Sequence, residues 1–293
     1  MSAHRRSFVT GAAVVLLAVV VAFVVLRDGG GPARAASSDA FASFGRSDDT
    51  VVLWAVGDSD VTDAGREVAR RIAGDRPRRL LYMGDVYEVG SPEEFRGFGD
   101  VYGSLVSRMA PTPGDHEWPM HADGYDPFWR AATGSPTPRW YAFSAGAWRI
   151  LSLNSEEADD PEQLEWVRRE LAGDEKCVLA YWHRPRFSAG YHGDQEDLEP
   201  LWHAVHDRAA LVLNGHDHDL ERMRPHDGVV EEVVGGGGRS LRDVNEDDPR
   251  LAFETDDEYG ALRLELAPDE AQLALVAADD GAVLDRAAVP CRG

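Results

Sequence analysis

The strongest constraint on the fold is a pattern that recurs along the chain: an apolar run, a glycine, and then a side chain that can bind metal. The clearest case is Leu211–Leu213, which predicts a short buried strand and leads into Gly215-His216-Asp217-His218. The same order recurs upstream, and one further apolar run ends at a histidine: Gly57-Asp58, Gly84-Asp85, Gly114-Asp115-His116-Glu117 and His183. Open α/β sheets keep their ligands beyond the carboxyl ends of the strands. These corners therefore predict a metal site assembled from loops.

Between the corners, the chain alternates predicted strands with helical spacing. Val51–Val56 and Leu80–Met83 predict strands, and Gly65–Ile72 between them has the spacing of a helix. The stretch Trp118–Arg139 is rich in proline, glycine and aromatic residues, which predicts a long ordered loop over the site. A later group of strands is predicted at Val229–Val234, Leu262–Leu266 and Leu273–Val276. We expect one α/β domain over residues 51–293, with two packed mixed β-sheets flanked by helices.

The N-terminal residues are expected to lie outside this domain. Phe8–Leu26 is almost wholly apolar and follows Arg5-Arg6, so residues 1–31 predict either a signal peptide or an N-terminal membrane anchor. Ala33-Arg34-Ala35 offers a cleavage site, but both alternatives stay open. Residues 32–50 predict a linker. The domain is therefore expected outside the cytoplasm, secreted or anchored, with membrane contact only through the N-terminal segment.

The two cysteines fit an oxidising compartment. Cys177 opens an apolar run and Cys291 lies near the C-terminus, and the alternatives are a disulfide or two independent thiols. We favour the disulfide, because only one pairing is possible.

The charge balance argues against polyanionic partners. The chain has 30 basic and 52 acidic residues and a net charge of −22, which excludes nucleic-acid binding through a basic stripe. Lys176 is the only lysine, so a fixed cation beside an anionic substrate must be arginine, histidine or metal. Arg184, Arg186 and Arg239 are the candidate phosphate contacts. No pattern indicates the oligomeric state.

The polar residues of the corners form a mixed oxygen and nitrogen ligand set without cysteine: Asp58, Asp85, Asp115, His183, His216 and His218. Six ligands are too many for one tetrahedral ion and suit two ions that share a bridging carboxylate. Carboxylates combined with imidazoles fit zinc, manganese or iron better than magnesium or calcium. Such a pair of divalent or trivalent ions clamps a phosphoryl group and generates hydroxide near neutral pH.

In these motifs and their order, the chain resembles the calcineurin-like metallophosphoesterases, in the branch related to purple acid phosphatases. The matching motifs cover about Val51 to Leu241. The resemblance implies a four-layer sandwich and an exported, acid-phosphatase-like hydrolase of small phosphomonoesters or diesters that uses metal-activated hydroxide. It implies that Asp58 and His218 bind one ion, that Asp85 bridges, and that Asp115, His183 and His216 bind the other. His116 would lie near the bound phosphate. His192 would face the leaving group, with a solvated loop position as the alternative.

The chain departs from the family pattern at three positions. Asp115 replaces the usual asparagine, which adds a negative charge among the ligands. Tyr87 follows Asp85 by two residues rather than three, so we retain it as a metal candidate but leave open whether it reaches the ion. Asp60 stands where related enzymes place a histidine ligand, and it is either a substitute ligand or a solvated residue. The departures at Asp115 and Tyr87 motivate an alternative function, a non-catalytic metal-binding module at the cell surface.

Overall fold

Two β-sheets pack face to face in a computed structural model of the chain, which describes residues 49–292. The predicted N-terminal segment 1–31 and nearly all of the linker 32–50 lie outside the described residues. Within residues 49–292, no helix is both long enough and apolar enough to cross a bilayer.

The first sheet has six strands in the order β13-β12-β11-β1-β2-β3. Its strands are β1 Val51–Val56, β2 Arg79–Tyr82, β3 Met109–Pro111, β11 Gly260–Leu266, β12 Glu270–Ala277 and β13 Val283–Pro290. β1, β2 and β3 are parallel neighbours, whereas β11 runs antiparallel to β1 and continues into an antiparallel meander. The carboxyl ends of β1, β2 and β3 therefore share one edge of the sheet.

The second sheet has seven strands in the order β10-β8-β9-β7-β6-β5-β4. Its strands are β4 Tyr141–Ala145, β5 Trp148–Ser152, β6 Cys177–Tyr181, β7 Leu211–Asn214, β8 Leu220–Met223, β9 Val230–Val234 and β10 Leu251–Thr255. β5, β6, β7 and β9 are parallel, and β4 forms an antiparallel hairpin with β5. The predicted class, two mixed sheets with helices outside, is confirmed.

Among residues 49–292, five α-helices cover the outer faces of the sheets. They are α1 Asp63–Asp75, α2 Pro92–Val106, α3 Tyr125–Thr133, α4 Pro161–Glu170 and α5 Glu199–Val205. One apolar cluster fills the space between the sheets, a second joins α1, α2 and α3 to the first sheet, and a third joins α4 and α5 to the second. The helix α2 begins with a capping box at Ser91: the Ser91 hydroxyl accepts from Glu94 N–H, and the Glu94 carboxylate accepts from Ser91 N–H.

The stretch Trp118–Arg139 is not a long loop, and this expectation was wrong. It contains a 3₁₀ turn, Trp118–Met120, and the helix α3. Tyr125, Phe128 and Trp129 follow one another at helical spacing, and their rings meet Phe95 and Phe98 of α2 at centroid distances of 5.0–6.2 Å. Burial of these aromatic rings outweighs the proline and glycine content of the segment.

The predicted disulfide is confirmed: Cys177 of β6 is bonded to Cys291, 114 residues later. It ties the end of the first sheet to a central strand of the second. The tail is also held by the Arg292 guanidinium, which donates to the carbonyl oxygens of Ala209 and Asp227. The disulfide thus closes a loop that contains most of the second sheet.

Candidate metal centre

Five loops place polar side chains at the common edge formed by the carboxyl ends of the parallel strands. Asp58 follows β1, Asp85 follows β2 and Asp115 follows β3 in the first sheet. In the second sheet, His183 follows β6, and His216 and His218 follow β7. Open α/β sheets bind ligands beyond this end of their parallel strands. The structure therefore brings together the residues that the motifs singled out.

The glycines of the corners are required because the loops approach one another closely. A Cβ on Gly114 would lie 2.0 Å from Asp85 Oδ1, and one on Gly215 would lie 2.4 Å from Asp58 Oδ2. Any larger residue would push a carboxylate out of place.

Three of the polar residues also have left-handed backbone conformations, which are uncommon outside glycine. The φ angles are 61° at Asp58, 63° at Asp85 and 73° at His216. Residues held in this region cost free energy and concentrate at functional sites, where the surrounding structure imposes them. The fold thus directs these three side chains at the centre although their backbone conformations are energetically unfavourable.

Two overlapping sets of ligand atoms could each hold a metal ion. Asp58, Asp85 and His183 form one set, and Asp115, His183 and His216 form the other, with the ligand atoms of each set within 4.8 Å of one another. The sets share His183, whose Nε2 lies 3.4 Å from Asp85 Oδ2 and 3.0 Å from Asp115 Oδ1. His216 Nδ1 also lies 3.0 Å from Asp115 Oδ1. The two candidate sets therefore meet at His183.

Backbone carbonyl groups orient two of the imidazoles. His183 Nδ1–H donates to the carbonyl oxygen of Met83 at 2.7 Å, and His218 Nδ1–H donates to that of Ser240 at 3.0 Å. Each ring therefore presents Nε2 to the centre, as metal-binding histidines do when a carbonyl fixes their tautomer.

Tyr87 reaches the centre despite its shortened spacing. Its hydroxyl donates to Asp58 Oδ1 at 2.8 Å and lies 2.7 Å from His218 Nε2. Burial, and then the charges of Asp58 and Asp85, raise the pKa of the Tyr87 hydroxyl. The phenol oxygen thus lies between Asp58 and His218, the two residues expected to bind the same ion.

His116 and His192 lie at the mouth of the centre, both partly exposed. His116 Nε2 lies 3.9 Å from Asp85 Oδ2, and its ring meets the Tyr87 ring edge-on at 4.6 Å. The His192 ring packs on the His216 ring at 4.3 Å, which places it beside the centre rather than in a remote solvated loop.

A buried carboxylate that sequence reasoning did not single out holds His192. Asp217 accepts from the His192 backbone N–H at 2.7 Å, and its Oδ1 lies 3.0 Å from His192 Nδ1. The hydroxyl of Ser188 also donates to Asp217. The signal available in the sequence was only the position of Asp217 between His216 and His218.

Glu117 is a second residue whose role the sequence did not reveal. Its buried carboxylate accepts from the backbone N–H groups of Asp85, Val86 and Gly114 at 2.9–3.2 Å. It therefore joins the loops after β2 and β3 to each other. Burial, and then the nearby Asp85, raise the pKa of Glu117 to about 8.

The donor set fits cations on physical grounds. Asp85 Oδ2 is buried and has no hydrogen-bond partner among the described residues. Burial lowers the pKa of His183, but the charges and hydrogen bonds of Asp85 and Asp115 outweigh it and raise that pKa well above its ordinary value. The carboxylates around His183 thus favour positive charge at this place, as a bound cation would supply. Buried carboxylates are retained in proteins when they are paired or bind metal.

The candidate phosphate contacts are not free. Arg184 pairs with Glu156 and Asp197, Arg186 pairs with Glu199, and Arg239 pairs with Asp60 and Glu88. The same ion pair accounts for Asp60, whose Oδ2 lies 3.0 Å from Arg239 Nη1. The guanidinium of Arg239 does lie near the centre, 4.5 Å over the Tyr87 ring.

Comparison with known proteins agrees with this geometry. The sequence profile of the family described as calcineurin-like phosphoesterase matches residues 52–220. A Synechococcus protein named as a probable cyclic nucleotide phosphodiesterase is 28% identical over 159 residues, which cover 48% of this chain and 58% of that protein. An uncharacterized Mycobacterium tuberculosis protein is 25% identical over 185 residues, which cover 44% of this chain and 35% of that protein. The chain thus spans less than two thirds of the length of these curated relatives.

Solved structures show the same fold at low sequence identity. Purple acid phosphatase PPD1 from yellow lupin seeds superposes with a TM-score of 0.71 at 18% identity, over 83% of this chain and 54% of that chain. GAP50, the anchor in the inner membrane complex of Plasmodium, gives 0.68 at 16% identity, over 83% and 90%. With the profile match over more than half of its length, the chain belongs to the calcineurin-like phosphoesterase family and has the two-sheet α/β fold of the purple acid phosphatases.

Proposed function

We propose that this protein is an exported hydrolase of small phosphomonoesters or phosphodiesters that works with two metal ions. The observation that carries the proposal is the convergence of three aspartates and three histidines, from five loops of the two sheets, at one centre. Membership of a phosphoesterase family supports the reaction class. The disulfide supports export, because such bonds persist in oxidising compartments.

The ligands divide between two positions. Asp58 and His218, with the Tyr87 hydroxyl beside them, would hold one ion, and Asp115, His183 and His216 would hold the other. Asp85 lies between the two groups and would bridge. The mixed oxygen and nitrogen set favours iron, zinc or manganese. When bound, two such ions supply charge neutralisation for a phosphoryl group and lower the pKa of water.

Residues of the chain itself orient the substrate and move protons. His116, beside Asp85 at the mouth, would donate to a phosphoryl oxygen. His192 would transfer a proton to the leaving alkoxide from Nε2, because Nδ1 is directed at Asp217. The hydrogen bonds of Asp217 and Ser188 fix the orientation of this ring before substrate arrives.

The proposal is tested by elemental analysis of the purified protein together with a panel of aryl and alkyl phosphate mono- and diesters. We expect about two ions per chain and metal-dependent hydrolysis. Asp85→Ala should lose both metal and activity, because it removes the bridging ligand. Asp174→Ala, which removes an exposed carboxylate remote from the centre, is the matched control and should retain both. Two ions per chain without turnover of any phosphoester would select the non-catalytic module instead.

A further inference from the structure

An exposed aromatic ring lies beside the candidate metal centre, on a loop whose backbone is fixed by hydrogen bonds to carboxylates. Tyr191 is 65% exposed, more than any other large apolar or aromatic residue among the described ones. It directly precedes His192, and the two rings meet edge-on with centroids 5.1 Å apart. His192 in turn packs on His216 at 4.3 Å, so only one ring separates Tyr191 from a candidate metal ligand.

The loop that carries Tyr191 is fixed by buried carboxylates. Glu231 accepts from the backbone N–H groups of Arg186 and Phe187, and Glu221 accepts from that of Ala189. Farther along, Arg250 Nη1 donates to both carboxylate oxygens of the exposed Asp194, at 2.8 and 2.9 Å. An exposed side chain on a braced backbone pays little ordering entropy when a ligand binds it.

A free cation lies against the same ring. The Arg242 guanidinium lies 4.5 Å over the Tyr191 ring, within the range of a cation–π contact. Among residues 49–292, Arg242 forms no ion pair, in contrast to Arg184, Arg186 and Arg239, whose guanidinium groups are paired with carboxylates. Its backbone N–H donates to the carbonyl oxygen of His218 at 3.1 Å, which anchors it to the centre.

We infer that Tyr191 and Arg242 form a leaving-group subsite that selects phosphoesters bearing a planar aromatic ring. One face of Tyr191 is covered by the guanidinium, and the exposed remainder offers a stacking surface next to His192, where the leaving group departs. The unpaired charge of Arg242 attracts the anionic substrate in an otherwise strongly acidic chain. This inference rests on the proposed hydrolase function and adds the substrate class to it.

The test uses substrate pairs in which only the ring differs. Adenosine 5′-monophosphate and ribose 5-phosphate share a leaving oxygen and differ in a base held away from the phosphate by the sugar. Benzyl phosphate and propyl phosphate differ in a ring close to the phosphate. We expect kcat/KM for at least one ring-bearing member to exceed that of its partner by about fivefold or more, because stacking of one base on an aromatic side chain contributes at least that factor. The pair that shows the preference identifies whether the ring is distant or adjacent.

Variants assign the preference to the subsite. Tyr191→Ala should bring the ratio close to one, Tyr191→Phe should retain it because the ring is kept, and Arg242→Gln should raise KM for all four substrates. Val283→Ala removes an exposed apolar side chain on β13 and serves as the matched control with an unchanged ratio. Ratios near one in the wild type, or a preference that survives in Tyr191→Ala, would overturn the inference.

Failure of the hydrolase proposal gives a different result. Under that outcome, the metal-loaded protein hydrolyses none of the four compounds. The affinities of adenosine 5′-monophosphate and ribose 5-phosphate, measured by calorimetry, then test the subsite directly. Tighter binding of the nucleotide that is lost in Tyr191→Ala would support the subsite although catalysis fails. Equal binding would overturn the subsite as well.

Discussion

The disulfide between Cys177 and Cys291 should make a large contribution to stability, and its size follows from the topology. The bond closes a loop with a sequence separation of 114 residues. In the chain-entropy treatment, closing a loop of this length removes unfolded-state entropy that corresponds to about 5 kcal/mol at 25 °C. The whole unfolding free energy of a typical domain is about 5–15 kcal/mol. Loss of this one bond should therefore remove a third or more of the stability of the domain.

The native contacts of the tail do not depend on the disulfide. β13 pairs with β12 from Val283 to Pro290, and the backbone N–H of Cys291 donates to the carbonyl oxygen of Asp269 at 2.8 Å. We therefore expect the reduced protein to keep its fold and to lose stability through the greater freedom of its unfolded chain.

Urea unfolding measures this effect, with the eight tryptophans of the chain as the fluorescent signal. Wild type with and without reductant is compared with Cys177→Ala/Cys291→Ala, all at one metal concentration, because bound ions shift the equilibrium. We expect a loss of about 4–5 kcal/mol and a larger m-value for the reduced and double-alanine proteins. The double variant should not respond to reductant. A loss below about 1 kcal/mol would refute the entropic reasoning for this loop.

Three further predictions concern the charges at and near the centre. Removal of metal by a chelator should lower the melting temperature, measured by calorimetry, because ions present at 100 times Kd contribute about 2.7 kcal/mol of stability; an unchanged value would argue against resident ions. Asp115→Asn should weaken metal binding, measured in a titration followed by elemental analysis, and leave hydrolysis measurable at saturating metal. Burial raises the pKa of Asp115, but hydrogen bonds from His183 and His216 outweigh burial and keep the carboxylate ionised, so the substitution removes a negative charge. Tighter metal binding by the variant would contradict this charge argument. Burial raises the pKa of Glu231 to about 8 from 4.5, so between these pH values the unfolded chain binds fewer protons than the folded protein. The free energy of unfolding should therefore fall as pH rises from about 5 to 8, by up to about 1.4 kcal/mol per pH unit. Glu231→Gln should flatten that dependence in urea titrations at each pH, and identical slopes would refute it.

The sequence was informative where the signal is local and uninformative where it depends on distant partners. Gly57-Asp58 and Gly84-Asp85 follow apolar runs directly, so the corners could be located, and the order of the corners predicted their convergence. The edge strand β13 was missed because its residues are mostly exposed or half-buried and lack an apolar face. The pairing of Arg239 with Asp60, 179 residues apart, could not be inferred from composition or spacing.

Part of the acidic composition serves to fix the loops of the site, which the sequence did not reveal. Acidic residues are usually exposed, yet eight carboxylates are buried among residues 49–292: Asp58, Asp85, Glu117, Asp217, Asp219, Glu221, Glu231 and Glu232. Two of these are candidate ligands, and four accept backbone N–H groups of the site loops, which otherwise have no strand or helix partner there. Because an unsatisfied buried N–H costs free energy, each such carboxylate fixes a loop that regular secondary structure cannot hold. The candidate ligands Asp58 and Asp85 lie close together and, when both are charged, disfavour the fold unless cations neutralise them. Rigid loops and bound metal are therefore linked in this protein, since Glu117 and Asp217 brace the loops whose neighbouring side chains would hold the ions.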